Sequence, residues 1–428
     1  MTVIGGGIAG IAACIHLAKA GMKALIIEPD KPVRHPVGES LDWSAPDLLA
    51  ALGLPMEQLI REEIATYKRH VTLRLGDGSS RHYVPGDWLG RPPYNIDLKT
   101  IHVDRLRLDE RLRDMALGHG IRRVEDKVVS VETNGKRVMA VHTASGTRVS
   151  STWFIDASGM QTNLFPRSFN LPVYEYGPRK VAIWTYFTVP ESTEGTTLYA
   201  EGAKPPYMEW IWEIPVRADL ISVGYVAPGD VLKENRQNGL TVEDIFKRKL
   251  SRFSRFDHML QGENTTLLNV TSFQCRVHGG VSGPNWLVMG EAAAMVDPMT
   301  ANGVTAALRH ASEGTKLIID SRFRKQLPLL GRATYNKRIA DVGKFFNCGI
   351  EKVLYDGPVR NHIGPLTAGD VYTIPAWLLN VVYSRLRPRG VVSTTFYGSL
   401  LGLCRAAATL YYGYCKQRQR EGVRQVAG

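Results

Sequence analysis

The sequence predicts an α/β chain, α+β overall, and three stretches make that prediction. The opening alternates strand and helix as "TVIGGG", "IAGIAACIHLAKAG" and "KALIIEP", a βαβ unit with a tight first turn. From about residue 179 to 275, apolar and polar residues alternate in "KVAIWTYFTV", "TTLYAEG", "MEWIWEIP" and "LISVGYV", the period of an antiparallel sheet. From about residue 331 the pattern turns helical, with Pro/Gly breaks near 357–375 and 388–390. We therefore expect a discontinuous Rossmann-type domain over 1–68, 99–165 and 276–330. A sheet domain is inserted as 69–98 and 166–275, and a helical region fills 331–428.

The elements between these landmarks follow in order. A polar loop, "DKPVRHPVGES", leaves the βαβ unit. Strand-like runs occupy 70–85, with a turn at Gly76-Asp77-Gly78. A helix fits 104–119, with Asp104 as its N-cap. "KVVSVET", "VMAVHTA" and "STWFIDASG" read as three strands, and "NWLVMGE" as a buried one entering the helical "GVTAALRHASEGTKLIIDS". No internal repeat or low-complexity tract interrupts the chain.

At 428 residues and 44% hydrophobic content, the chain can bury a large core. Its five cysteines (Cys14, Cys275, Cys348, Cys404, Cys415) are scattered without a CxxC pair, so no disulfide framework or metal site is expected. That usage, and a strand at the very start, lead us to expect a reducing, cytoplasmic location. Residues 301–428 hold 19 Lys+Arg and 7 Asp+Glu, whereas residues 1–300 hold 34 of each. The basic third suits a small acidic partner protein or an anionic surface, unless it is simply a solvated helical face. No RNP, helix-turn-helix or zinc-finger pattern accompanies it, so nucleic acid is not expected. The apolar run "VSTTFYGSLLGLCRAAATLYYGYC" carries Arg405 and three glycines, which argues against a transmembrane segment.

The chemistry begins in "GGGIAG", with Gly5, Gly7 and Gly10 in the GxGxxG register between a strand and a helix. Gly5 allows the tight turn, Gly7 lets the backbone approach a pyrophosphate, and Gly10 lets the helix pack close on the sheet. The helix N-terminus then favours the diphosphate. Glu28, ending the next strand, suits a ribose with a free 2′-hydroxyl, hence FAD or NAD rather than NADP. In "WIWEIP", Trp210 and Trp212 are two apart and share one face of a strand. They are either core or a wall beside a cofactor. Glu213 alternates to the opposite face, where a surface position is expected, and Pro215 ends the strand or marks its edge.

Four further segments occur in a telling order: "VGES" (Val37 to Ser40), the helix of "DRLRLDERL", "FIDASG" (Phe154 to Gly159) and "GEAAAMVDPMTANG" (Gly290 to Gly303). Together they resemble the hydroxybenzoate-hydroxylase-type FAD monooxygenase superfamily, and "WIWEIP" is similar to the WxWxIP signature of its flavin-dependent tryptophan halogenase branch. The resemblance covers roughly 1–330. It implies that Ser40 and Arg105 stand near the flavin side of FAD, and that Val128 lies near the adenine. Asp156 would return the chain to the cofactor domain. Glu291, after Gly290, stands where the family usually has Asp on a ribityl hydroxyl. Beyond Pro298, the amides around Asn302 and Gly303 would face the flavin pyrimidine edge.

The resemblance implies O2 chemistry through a flavin hydroperoxide, with electrons from NADH or NADPH directly or from a partner flavin reductase. It leaves the outcome open. A halogenase needs a lysine beside the substrate, and Lys68 is the candidate. Its neighbours Arg69 and His70 fit that pattern poorly, which favours a solvated lysine. Halogenases resembling this chain usually carry Ser- or Thr-Gly where Ala301-Asn302-Gly303 stands. That loop is closer to hydroxylating relatives, including flavoproteins similar to those that mature tryptophylquinone cofactors. The leading expectation is therefore monooxygenase hydroxylation of an aromatic (indole or tryptophan) substrate, including a peptidyl tryptophan of a partner. Halogenation of an indole, pyrrole or phenol is the alternative, with a flavin-dependent reductase or a non-catalytic flavoprotein behind it. Glu39, His70, Glu209 and Glu213 are the groups that could take up the ring proton, and the sequence does not choose among them.

Overall fold

The computed structural model describes residues 1–30, 35–75, 78, 80–84, 99–200, 208–261, 268–349, 351, 406 and 410. Of the basic third expected to meet a partner, residues 301–349 are described, whereas the apolar run around Arg405 falls almost entirely outside the described residues. So does the turn at Gly76-Asp77, although Gly78 itself is described.

The opening unit forms as its apolar runs require. β1 (Thr2–Ile4) and β2 (Leu25–Glu28) flank a helix, Ile8–Lys19, whose residues are buried on nearly every side. β3 (Ala65–Tyr67), β4 (His70–Leu75), β5 (Ser80–Tyr83) and β6 (Ile101–Val103) follow. Next come the helix Arg105–Gly118 and β7 (Arg122–Glu125). Asp104 caps that helix by accepting from the amides of Leu106 and Arg107, as an N-cap aspartate should. β8 (Val128–Asn134), β9 (Arg137–Thr143) and β10 (Arg148–Ser150) make a small antiparallel sheet, and β11 (Phe154–Asp156) follows. β12 (Val173–Thr188), β13 (Gly195–Ala200), β14 (Trp210–Arg217), β15 (Leu220–Pro228) and β16 (Asn269–His278) carry the second large sheet. β17 (Trp286–Val288) and β18 (Ala294–Met295) precede the helices Gly303–Asp320 and Leu329–Gly349.

Two sheets organise these elements. The first has five parallel strands in the order β17-β11-β1-β2-β7. Three adjacent strands, β17 at one edge with β11 and β1 beside it, are buried at every residue, as parallel strands covered on both faces must be. Helix Ile8–Lys19 packs against both Gly303–Asp320 and Arg105–Gly118, so early and late segments share one core. The second sheet has eight strands in the order β18-β16-β12-β15-β14-β13-β4-β5. It departs from the purely antiparallel expectation, because β4 and β13 pair in parallel, Gly195 opposite His70 through Ala200 opposite Leu75. Parallel neighbours need a long connection, and the chain supplies one by running through the first domain in between. The sheet also recruits Arg276 to His278 of β16 and all of β18, residues grouped by sequence with the first domain.

β14 is buried on both faces. Trp210, Trp212 and Ile214 point toward Ala182, Trp184 and Phe273, while Ile211 joins Ile245, Phe246 and Leu250 of the helix Val242–Leu250. This corrects the surface reading of Glu213. It does face away from the tryptophans, but that face is covered too, and Glu213 is buried. Tyr199 Oη donates to its Oε2 (2.5 Å), and Arg255 Nη2 and Nε donate to Oε1 (2.7 and 3.0 Å). Pro215 does not end the strand. β13 stops pairing at Glu213, so that flank of β14 is open at Pro215, whose carbonyl accepts from Thr66 Oγ1 (2.8 Å).

Candidate active site

The glycine turn is built as its chemistry demands. Gly5 has φ +100°, and a Cβ there would lie 2.4 Å from the Ala157 carbonyl oxygen; a Cβ at Gly10 would lie 2.0 Å from the Gly5 oxygen. Gly7, the N-cap of helix Ile8–Lys19, has nothing within 4 Å of a Cβ. The crowded glycines therefore serve packing, and the open one leaves room for a ligand. Glu28 ends β2 with its carboxylate over Gly6, oriented by Arg123 Nε (2.8 Å).

A cavity of about 490 Å3 runs from Gly7, Ile8 and Ala9 past Arg105, Glu291 and Gly303 to a chamber of Trp184, Trp210, Trp212 and Phe273. Each segment singled out by sequence braces this cleft or lines it. Arg105 is buried, donates from Nη1 to the Val37 carbonyl (2.6 Å) and holds Asp109 through Nε and Nη2 (both 3.1 Å). It fixes the "VGES" loop, where Gly38 adopts φ +113° against the guanidinium. Gly290, at φ +60°, donates its amide to Nδ1 of buried His310 (3.2 Å). Burial pushes the His310 imidazole down to about 3, so it stays neutral and able to accept. Glu291 is exposed at the lip. Pro298 lines the cleft, and Asn302, at the start of helix Gly303–Asp320, donates from Nδ2 to Asp42 Oδ2 (2.6 Å).

Asp156 and Val128 are not among the residues that line the cavity. Asp156 is buried and accepts from the amides of Ser158 (Oδ1, 3.0 Å) and Phe165 (Oδ2, 2.7 Å), so it ties the "ASG" turn to the helix Leu164–Ser168. Val128 buries its side chain in the core.

The paired tryptophans are both core and cavity lining. Trp210 and Trp212 are both buried, tilted at 49° with centroids 5.8 Å apart, and both line the cavity. Trp212 Nε1 donates to Ser222 Oγ (3.0 Å), which donates to Glu39 Oε1 (2.9 Å). Tyr186 Oη also reaches that oxygen (2.7 Å), and the Gly38 amide reaches Oε2 (2.9 Å). Glu39 thus anchors the wall as well as lining the chamber. Ser222→Ala is expected to leave the Trp212 N–H buried without its partner, lowering stability by about 1–3 kcal/mol in urea denaturation, with a shift in tryptophan emission.

Lys68 is the second feature of the chamber, and the structure overturns its solvated reading. It sits between β3 and β4, its amide bonded to the Thr100 carbonyl (2.9 Å), and its half-buried side chain lines the cavity. Nζ donates to the Leu41 carbonyl (3.4 Å). Burial pushes its ammonium down to about 8, opposed only in part by Asp42. Behind it lies His102, unnoticed in the sequence, fully buried with Nε2 2.8 Å from Thr196 Oγ1. Burial and the Lys68 charge hold that imidazole neutral. Ser40 Oγ lies 3.4 Å from the same hydroxyl, so it faces Thr196 as well as the cleft. His70 packs on His82, and Glu209 pairs with Lys249 and Tyr225; neither lines the chamber.

An open glycine cradle, an acidic end to β2 and a long cleft closing on an aromatic chamber suit an elongated dinucleotide with a ring system at its inner end. These features define the class, a dinucleotide-binding α/β fold with an aromatic chamber at one end of its cleft. The tryptophan halogenase family profile matches residues 1–85 and 99–344, and the chain belongs to that family. It is 29% identical over 323 residues to a tryptophan 2-halogenase of Chondromyces crocatus, covering 72% of this chain and 59% of that protein. It is 27% identical over 340 residues to a 1H-pyrrole-2-carbonyl-(peptidyl-carrier protein) brominase of Pseudoalteromonas luteoviolacea, covering 75% and 78%. The flavin-dependent brominase Bmp2 shares the fold, with a TM-score of 0.69 at 19% identity over 98% of each chain. Halogenation, the second chemistry left open by the sequence, is the one these relatives share in their names. Among the described residues, no helix is long and apolar enough to cross a membrane.

Proposed function

We propose that this chain binds FAD and substitutes an electron-rich aromatic ring, with halide as the entering group. The observation that carries the reading is Lys68, a cationic donor lining the same cavity as Trp210, Trp212 and the Glu39 carboxylate. Bound FAD, when reduced, supplies activated oxygen. The chain's own residues do the rest. The tryptophans, with Phe273 and Ile214, exclude water and orient a flat ring. A Lys68 ammonium donates to the oxygen of a hypohalous acid and makes its halogen more electrophilic, an effect strengthened by the low local dielectric. Glu39 is the carboxylate lining the chamber that can receive the ring proton. Reduced flavin from a separate reductase is the electron source we favour.

A second reading is favoured by one observation. Ala301 and Gly303 line the cleft without a hydroxyl, and the Asn302 amide is engaged by Asp42. A loop so built offers a halide little, which suits direct hydroxylation of the ring, including an indole on an acidic partner polypeptide met by the basic C-terminal region. The test is turnover of indole, pyrrole and phenol panels, free and peptide-borne, with FAD, NADH, a flavin reductase, oxygen and bromide. Mass spectrometry is expected to show the bromine isotope doublet. A product that gains oxygen and no bromine replaces halogenation with the second reading.

A further inference from the structure

One buried charge cluster lies outside the chamber and has no part in the chemistry above. On β12, Lys180, Ala182, Trp184 and Tyr186 share a face, and the last three belong to the chamber-side core. Lys180 continues that row behind the cleft, at the end of a register irregularity between Tyr176 and Lys180. Its side chain is fully buried. Nζ lies 3.2 Å from Asp297 Oδ2, contacts the Glu351 carboxylate, and is 3.9 Å from Cys275 Sγ. Cys275, Asp297 and Glu351 could by themselves be taken for three ligands of a metal ion, but the lysine ammonium already stands among them as the cation.

Asp297 connects this cluster to the cleft. While Oδ2 faces Lys180, Oδ1 accepts from the Met299 amide (3.0 Å), and the Asp297 carbonyl accepts from both the amide (3.0 Å) and Oγ1 (2.8 Å) of Thr300. These bonds shape the turn Pro298–Thr300, which ends at Ala301 with φ +51° and delivers Asn302 and Gly303 as the start of a helix. An alanine at positive φ is a conformation that its surroundings must impose.

We infer that Lys180 is a positioning residue: it clamps Asp297, and through the Pro298–Thr300 turn it aims the main-chain amides at Asn302 and Gly303 into the cofactor cleft. Glu351 extends the clamp to the start of the C-terminal region. The inference rests on reading the cleft as a flavin site, where such amides favour the negative charge of reduced flavin. A lysine used only for packing would affect folding and leave the cofactor's properties alone.

The charges make a clean test. Burial pushes the Cys275 thiol up, so it stays neutral, and the cluster of one lysine and two carboxylates carries a net charge of about −1. Lys180→Met changes that charge; the double variant Lys180→Met/Asp297→Asn restores it while removing the clamp. In purified full-length protein we expect both to bind FAD at least about tenfold more weakly, and the midpoint potential of the loaded fraction to fall. A fall that persists in the double variant reports geometry, because the net charge is unchanged. If Lys180→Met does not fold, the double variant decides, since it leaves no unpaired aspartate. If that also fails to fold, Asp297→Asn alone decides by the same two measurements. Parental FAD affinity and potential in the deciding variant overturn the clamp, whereas absence of FAD binding by the parent overturns the flavin reading instead.

Discussion

Lys68→Ala is expected to abolish ring substitution, lowering turnover by at least about 100-fold, the scale seen when one preorganised donor is removed from a site. FAD affinity should stay within about twofold, because Lys68 lies at the chamber end of the cavity, away from the glycine cradle. The pH profile adds a second measurement. Lys68 falls from 10.5 to about 8 on burial, so activity that needs its ammonium declines above pH 8. Stability moves the other way. Between 8 and 10.5 the unfolded chain holds the proton and the folded chain does not, so stability rises with pH through that window and the half-buried ammonium costs stability below it. Lys68→Met, which keeps the stem and drops the charge, should therefore raise the melting temperature at pH 7 by about 2 °C while remaining inactive. Full turnover by Lys68→Ala would remove halogenation as the reading.

The second large effect belongs to the glycine turn, where neighbouring positions should fail differently. Gly10→Ala places a methyl 2.0 Å from the Gly5 carbonyl oxygen, a backbone atom that cannot swing away. The helix Ile8–Lys19 must lift from the sheet, and we expect a loss of about 3 kcal/mol or more with no retained flavin. Gly7→Ala meets no protein atom within 4 Å. It should fold with parental stability yet bind FAD weakly, since its methyl occupies only the ligand's space. Calorimetry and flavin titration on the two purified variants separate these outcomes. Equal stability in both would show that Gly10 is not a packing residue.

What the sequence disclosed was mostly local. The βαβ unit, the Asp104 cap and the tryptophan face all follow from spacings of a few residues, and they appear where those spacings place them. Glu213 was misjudged because alternation tells which face a residue is on, not whether that face is covered; its cover comes from Tyr199 and Arg255. Lys68 was misjudged because its setting depends on Leu41 and Thr100, which flank it only in space. Lys180 and His102 were invisible for the same reason, their partners lying 94 or more residues away. The parallel pairing of β4 with β13 could not be read either, since period two says nothing of which strand becomes a neighbour.

The parallel sheet that cradles the cofactor is closed by a latecomer. β1 and β2 come early in this sequence, whereas β17 arrives only at Trp286–Val288 and the helix that lines the cleft only at Gly303. A nascent chain has the glycine turn long before it has the opposite wall, so under the proposed flavin reading the site is incomplete until the helix that begins at Gly303 has been made. If the chain binds FAD as proposed, a shortage of FAD would leave the aromatic chamber without its inner partner.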